Sequence, residues 1–341
     1  MRGTERLDAF QQRHRWLGYP LAVIYKFFDD LGGFLAALIT YYGFISIFPL
    51  LLLFASVLGF LLQGDAQLQE RILDSALRQF PVIGEQLGDP QGLRGSTTAV
   101  VIGGLGSIYG ALGVAQAVQN AMNTIWAVPR NRRGNPFVTR GRSVVILLVG
   151  GLTVVVTGGL SAFPALNSWG TTSRVATTVL ATSITTAFFV FLFRFATAHP
   201  LSRSDVLPGA FAAALVWQLL QSTGAAYVGG VVRRADATNG VFAIVLGLIA
   251  WIYLAAVSML LCAEANVVHV QRLYPRTLLT PFTDDVDLTD ADRRAYTSYA
   301  NAARTKEFES VDVRFKHNGQ NKTANRLRKR LSALRERSRD R

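Results

Sequence analysis

Long apolar runs separated by short polar ones dominate the chain between Gly32 and His269. Six can be drawn: 32–62, 98–126, 143–166, 176–197, 206–232 and 240–268. Each exceeds the roughly 20 residues a helix needs to cross a hydrocarbon layer about 30 Å thick. At about 1.5 Å per residue, the first is long enough to over-span it. Pro49 lies inside that first span. It lacks a backbone donor and predicts a kink or break there, which must face protein or water because lipid cannot satisfy freed backbone groups. The pattern predicts an all-α membrane protein of six transmembrane helices with amphipathic surface helices.

The flanks read differently. In the 63–97 loop, Leu68, Ile72, Leu73, Ala76, Leu77 and Phe80 recur at helical spacing between charged residues. This predicts an amphipathic helix on the membrane surface or capping the bundle. The Phe10–Phe28 stretch looks similar, and Trp16, Tyr19 and Tyr25 suit an interfacial position. After Val270 the chain turns polar. Thr289-Asp-Ala-Asp292 predicts an N-cap with an acid at N3, opening a short helix. From Arg314 onward few apolar residues remain, and the expectation there is disorder or weak helix. Three parts follow: an N-terminal segment 1–31, a membrane domain 32–270, and a polar, basic tail 271–341.

Charge supplies the orientation. Only 17% of the 341 residues are charged, against about 25% in an ordinary soluble domain. The formal net charge is +13. Five Lys/Arg precede the first span, five (Arg130, Arg132, Arg133, Arg140, Arg142) lie between the second and third, and 17 follow Glu264. The 63–97 loop holds three against five acids. The positive-inside rule therefore predicts both termini cytoplasmic. The first 20 residues contain no apolar signal-peptide core, so the first span is expected to act as its own insertion signal. The tail carries 11 Lys/Arg against two acids from Arg314 onward. Beside a membrane, that stretch (Arg326, Arg328, Lys329 and Arg330 above all) points to anionic lipid headgroups rather than nucleic acid. The single cysteine, Cys262, excludes an intrachain disulfide and reads as a small buried hydrophobe.

Four motifs carry a family resemblance: TYYGFISIFP (Thr40–Pro49) followed by LLLLFASVLGF; NAMNTIWAVPRNRRG (Asn120–Gly134); LPGAFAAALVWQ (Leu207–Gln218); and GVFAIVLGLIAWIYLAAVSMLLCAEANVV (Gly240–Val268). In this order they resemble the YihY/BrkB family of bacterial inner-membrane proteins, over roughly residues 20–272. The chain has Asn239-Gly240 where that family suggests Tyr-Gly, and Cys262 where it suggests Gly. The resemblance implies six helices but no settled activity. Its members carry labels as virulence or serum-resistance factors, as ribonuclease BN, and as envelope-lipid transporters.

The residues give the catalytic label no support. His14, His199, His269 and His317 are scattered, and no nucleophile elbow, P-loop or dinucleotide fingerprint is present. Asp284, Asp285, Asp287, Asp290 and Asp292 cluster, but in a linker before a helix, where solvated loop and N-cap acids are the plainer reading. No catalytic residue, metal or cofactor is expected.

The polar residues within spans say more. Gln116, Gln119, Asn120 and Asn123 form one stripe on the second span, and Gln218 and Gln221 a shorter one on the fifth. Tyr41, Tyr42 and Ser46 join Pro49 on the first. Amides at bilayer depth need partners, which leaves two readings: interhelical glue or the lining of a water-filled cavity. Arg194, Glu264 and Asn266 are expected near the cytoplasmic side, either snorkelling or closing the inner end of such a cavity. Arg233 and Arg234 sit at the other end, as flanking anchors or as holders of an anionic headgroup. A faint repeat (Gly110-Ala111 before Gln116-x-x-Gln119; Gly209-Ala210 before Gln218-x-x-Gln221) resembles the inverted halves of many transporters. The sequence thus favours a transporter or translocation factor for lipid or another amphipathic envelope molecule. A non-transporting scaffold for envelope machinery is the alternative and a membrane ribonuclease the disfavoured third. Membrane lipids, and either a homo-oligomer or an envelope protein, are the expected partners.

Overall fold

The computed structural model describes residues 2–61, 97–166, 170–232, 237–280, 282–283 and 286–315. The described residues form nine α-helices and one 3-10 turn, with no strand among them. In chain order they are α1 (Arg2–Arg13), α2 (Arg15–Asp29), α3 (Gly32–Leu61), α4 (Thr97–Ile125), α5 (Pro136–Leu166), α6 (Gly170–Ala196), α7 (Arg203–Val232), α8 (Ala237–Val270) and α9 (Asp290–Ala302). Helices α3 to α8 fall on the six apolar runs. The 63–97 amphipathic segment, apart from its last residue, Arg233, Arg234 and the tail beyond 315 lie outside the described residues.

Among the described residues, four helices are long and apolar enough to cross a bilayer: Pro136–Leu160, Val175–Ala196, Arg203–Gly224 and Val245–Val270; Gly32–Ile47 is a shorter apolar helical stretch. Their outer faces carry large exposed side chains, including Leu148, Leu152 and Val155 on α5 and Val175 and Val179 on α6. A water-soluble monomer rarely shows so broad an apolar surface. A lipid-embedded one requires it. The chain is a multi-pass membrane protein. Helix α3 runs unbroken across Pro49, so the break considered there does not occur; Pro49 withdraws one donor from a helix that continues.

Helices α3 and α4 make the most extensive contact, followed by α7 with α8, then α5 with α6 and α6 with α7. Small residues permit these approaches. A Cβ at Gly110 of α4 would lie 2.7 Å from the Ser46 Cβ of α3. A Cβ at Gly209 of α7 would collide with the Cys262 carbonyl and the Asn266 amide of α8. The core holds Ala36 and Ile39 of α3, Ala121, Met122 and Ile125 of α4, Phe193 of α6, Ala210 and Ala214 of α7, and Leu260 and Val267 of α8.

Three helices end at one pole of the bundle through a left-handed residue: Leu31 (φ 55°) after α2, Ala127 (φ 49°) after α4 and Arg272 (φ 53°) after α8. Val128 N–H returns to Asn123 C=O at 2.8 Å, and Leu273 N–H to Val268 C=O at 3.0 Å. These bonds satisfy carbonyls the helix ends leave open. The same pole receives α2, the 126–136 loop, the 197–203 loop and α9. We call it the basal pole.

Candidate functional site

The basal pole is organised by buried charge. On α2, the residues Tyr19, Ala22, Val23, Lys26 and Phe27, with Asp30 at the C-cap, follow helical i, i+3, i+4 spacing, so Lys26 lies in the middle of the face turned to the core. Lys26 is 1% exposed. Its ammonium donates to Asp30 Oδ2 at 2.5 Å and to the Ile125 carbonyl of α4 at 2.8 Å. Glu264 of α8, fully buried, places Oε2 3.1 Å from the same nitrogen. That contact is ionic rather than directional: neither Glu264 oxygen has a well-aligned hydrogen-bond donor. Burial alone would lower the Lys26 pKa, but Glu264 and Asp30 together more than offset it and hold the pKa above the usual lysine value. Asp30 moves up from the ordinary carboxylate range because burial outweighs the pull of Lys26.

A second cluster adjoins it. Arg276, 1% exposed, follows α8 and a cis Tyr274–Pro275 bond. Its Nη1 meets Asp29 Oδ2 at 2.6 Å and its Nε meets Asp292 Oδ1 at 3.0 Å. The Tyr25 and Tyr296 rings flank its guanidinium, with centroids at 6.0 and 5.6 Å. Asp292 is the N3 residue of a capping box with Thr289, as the sequence predicts, and also accepts from the Thr277 N–H at 3.0 Å. Tyr299 joins the clusters: its hydroxyl donates to Asp29 Oδ2 at 3.2 Å, and Lys26 Nζ lies 5.7 Å from its ring centroid. Burial, with Asp30 and Asp29 nearby, holds the Tyr299 phenol well above its usual value. Tyr19 and Tyr25 turn inward, donating to the carbonyls of Ala265 and Leu278 at 2.8 Å each. Trp16 alone of the three candidate interfacial aromatics is strongly exposed, at 69%.

This network corrects one sequence expectation. Glu264, Asn266 and Arg194 do not form a cluster. Glu264 faces Lys26 on α2. Asn266 clamps the first turns of α7, accepting from Gly209 N–H at 2.8 Å and donating to Val206 C=O at 3.1 Å. Exposed Arg194 donates to the Leu201 carbonyl at 2.8 Å. Asn266 and Arg194 are taken up by nearby backbone groups, and Glu264 by the ammonium of α2.

The stripe on α4 divides into two faces. Gln119 and Asn123 are interhelical glue. Gln119 donates to Ser143 Oγ at 2.9 Å and to Thr139 C=O at 3.2 Å on α5. Asn123 accepts from Ala198 N–H at 2.7 Å, just past α6. Gln116 and Asn120 instead sit exposed on the outer side of α4. Asn120 accepts from Arg133 Nη1 at 3.1 Å. One turn pair further from the basal pole, Tyr109 is 67% exposed on the same face. It joins Tyr42 and Tyr41 of α3 in an edge-on ladder with centroid spacings of 6.4 and 5.2 Å. Tyr41 is itself 57% exposed. Ser46 is buried against Gly110 and donates to Gly43 C=O within its own helix. Gln218 contacts Thr182 of α6 at 3.4 Å, and Gln221 is half-buried.

Among the described residues, no three His, Cys, Asp or Glu side chains stand where they would share a metal ion. Asp292 is committed to Arg276 and its capping box. A shallow cavity of about 370 Å³ on the outer face of α9 is lined by Arg293, Arg294, Thr297, Ser298 and Asn301.

No curated protein and no solved structure matches the chain. The virulence factor BrkB family matches residues 23–284, from within α2 to just short of α9. The match covers all the apolar helices as well as Lys26, Glu264 and Arg276, and the chain belongs to the virulence factor BrkB family.

Proposed function

We propose that this chain is a plasma-membrane transporter or translocation factor for lipid or another amphipathic envelope molecule. In this reading α3 to α8 are six spans, with the basal pole and both termini cytoplasmic. The observation that carries it is the outward polar face of α4. Gln116 lies nine residues before the end of α4, about 14 Å from the basal pole at helical rise. An exposed amide at that depth is costly in hydrocarbon. It is tolerated where a headgroup or water accompanies it. Tyr41, Tyr42, Tyr109, Gln116 and Asn120 together make an amphipathic track ending at Arg133, a cation suited to a phosphate or carboxylate. The basic rim formed by Arg130, Arg132, Arg140 and Arg142 would hold anionic headgroups beside the track, and the charge of Arg326, Arg328, Lys329 and Arg330 in the tail adds to the attraction for anionic lipid.

The test is lipid movement between leaflets of reconstituted liposomes. The reading expects faster movement with the protein than without it, and loss of that gain in Gln116→Leu while protein content and fold are kept. Equal rates with and without protein would remove the reading.

A second reading rests on the same face: a scaffold in which Gln116 and Asn120 meet a second copy or an envelope protein. It expects Gln116→Leu to change the oligomeric state and leave lipid movement untouched. Neither reading includes a catalytic step; incubation with RNA and Mg²⁺ or Zn²⁺ is expected to give no cleavage above background.

A further inference from the structure

The basal network contains two cations, Lys26 and Arg276, and four carboxyl groups, Asp29, Asp30, Glu264 and Asp292. The surplus of acid is not shared evenly. Asp29 keeps 30% of its side chain in solvent, besides pairing with Arg276. Asp292 is buried but surrounded by donors: Arg276 Nε, the Thr277 N–H and hydroxyl, and the Thr289 N–H. Both are already supplied with donors or solvent. Arg276 is thereby spent, and no positive charge from that cluster is left for its neighbour.

Asp30 and Glu264 stand differently. They are 7% and 0% exposed, and they face the single ammonium of Lys26. Each has an oxygen within ion-pair distance of that one nitrogen, Asp30 Oδ2 at 2.5 Å and Glu264 Oε2 at 3.1 Å, so the two carboxyl groups share it. The remaining groups around them are the Ile125 carbonyl from α4, the Tyr299 phenol from α9, and Asp29 on the adjoining turn. None supplies positive charge. Two ionised carboxylates here would leave one negative charge sealed away from water and unpaired, which a protein interior resists more strongly than protonation. One proton on the pair restores neutrality. It also supplies the donor that Glu264 lacks.

We propose that Asp30 and Glu264 together bind one exchangeable proton, and that this proton locks α2 onto α8 at the basal pole. With the proton present the site is neutral, and both acids stay against the Lys26 ammonium. Without it, the two carboxylates repel across the α2–α8 contact, and relief comes from water entry or from separation of the helices. The locked state weakens as pH rises. The site is a proton-binding device in its own right, whether or not the chain moves lipid. If it does, the proton is the ion whose binding and release would open and close the basal end of the track.

The test is infrared difference spectroscopy on the full-length protein in lipid nanodiscs, following the H/D-sensitive C=O stretch of protonated carboxyl groups. At neutral pH the wild type should show one such band relative to Glu264→Gln, and the same band relative to Asp30→Asn. Each substitution leaves one carboxylate opposite one ammonium, so the proton is no longer required. Lys26→Met should raise the band about twofold, because both acids must then be neutral. The band should fade as pH rises into the alkaline range. A band missing from the wild type, or one that survives either single neutralisation, would overturn the proposal. The Gln and Asn variants keep side-chain size, so the result stands even if Lys26→Met does not fold. The spectrum requires no lipid movement, so failure here and failure of the transport reading are separate outcomes.

Discussion

Lys26 and Glu264 face each other across α2 and α8, nitrogen to oxygen at 3.1 Å, with both side chains sealed from solvent. Lys26 is also tied to Ile125 at the end of α4. One side chain just ahead of α3 therefore holds the ends of two apolar helices. Removing it leaves two buried acids without a cation. Breaking a buried pair by deleting one partner typically costs about 3–5 kcal/mol. Lys26→Met is expected to lose that order of stability in thermal or denaturant unfolding in nanodiscs. A loss below about 1 kcal/mol, the scale of a surface ion pair, would show that the pair is not buried as described.

The pH dependence follows from the same contact. The Lys26 pKa is raised, so its contribution is complete below the ordinary lysine value near ~10.4 and is lost as pH climbs through the raised value. The Asp30 pKa is also raised, so its neutral form is favoured: its contribution is complete below the ordinary value near ~3.9 and is lost as pH rises through the shifted one. Both act in one direction. The midpoint of thermal unfolding is expected to fall from acid toward alkaline pH, and Asp30→Asn should flatten the lower part of that fall. Parallel curves for the two proteins would contradict this assignment.

Close helix approach at Gly209 makes a steric prediction. A methyl group there meets the Cys262 carbonyl and displaces the Asn266 amide that clamps α7. Gly209→Ala is expected to cost about 1–3 kcal/mol, whereas Gly151→Ala, with nothing within 4 Å of the new atom, should cost far less. Unfolding of the two variants side by side checks the α7–α8 crossing.

Gln116 and Gln119 separate glue from track. Gln119→Leu loses two bonds to α5, and interhelical bonds of this kind average about 0.6 kcal/mol; a small stability loss is expected. Gln116→Leu gives up no bond to a described residue and should leave stability unchanged or slightly raised. Lipid movement should respond in the opposite sense, failing in Gln116→Leu and persisting in Gln119→Leu.

The helices were legible because bilayer thickness imposes run length on the sequence: the predicted start of the last span at 240 and the observed start at Ala237 differ by a fraction of a turn. The capping box at Thr289 and Asp292 was legible for a similar reason, since its partners are three residues apart. The Lys26–Asp30–Glu264 cluster was not. Its one local signal is a lysine in the apolar stripe of α2, four residues before an acid; its decisive partners come from α4 and α8. Gln116 and Gln119 are three residues apart on one helix, and periodicity placed them together. The packing of α5 against one side of α4 alone decides that Gln119 is buried and Gln116 is not.

In the transport reading, headgroups travel along the outer face of α4. A photoactivatable residue introduced at position 116, irradiated in native-lipid nanodiscs and analysed by mass spectrometry, tests it most directly. Covalent adducts with phospholipid are expected at position 116, and none at position 119. Adducts only with a second protein chain would contradict it and leave the scaffold.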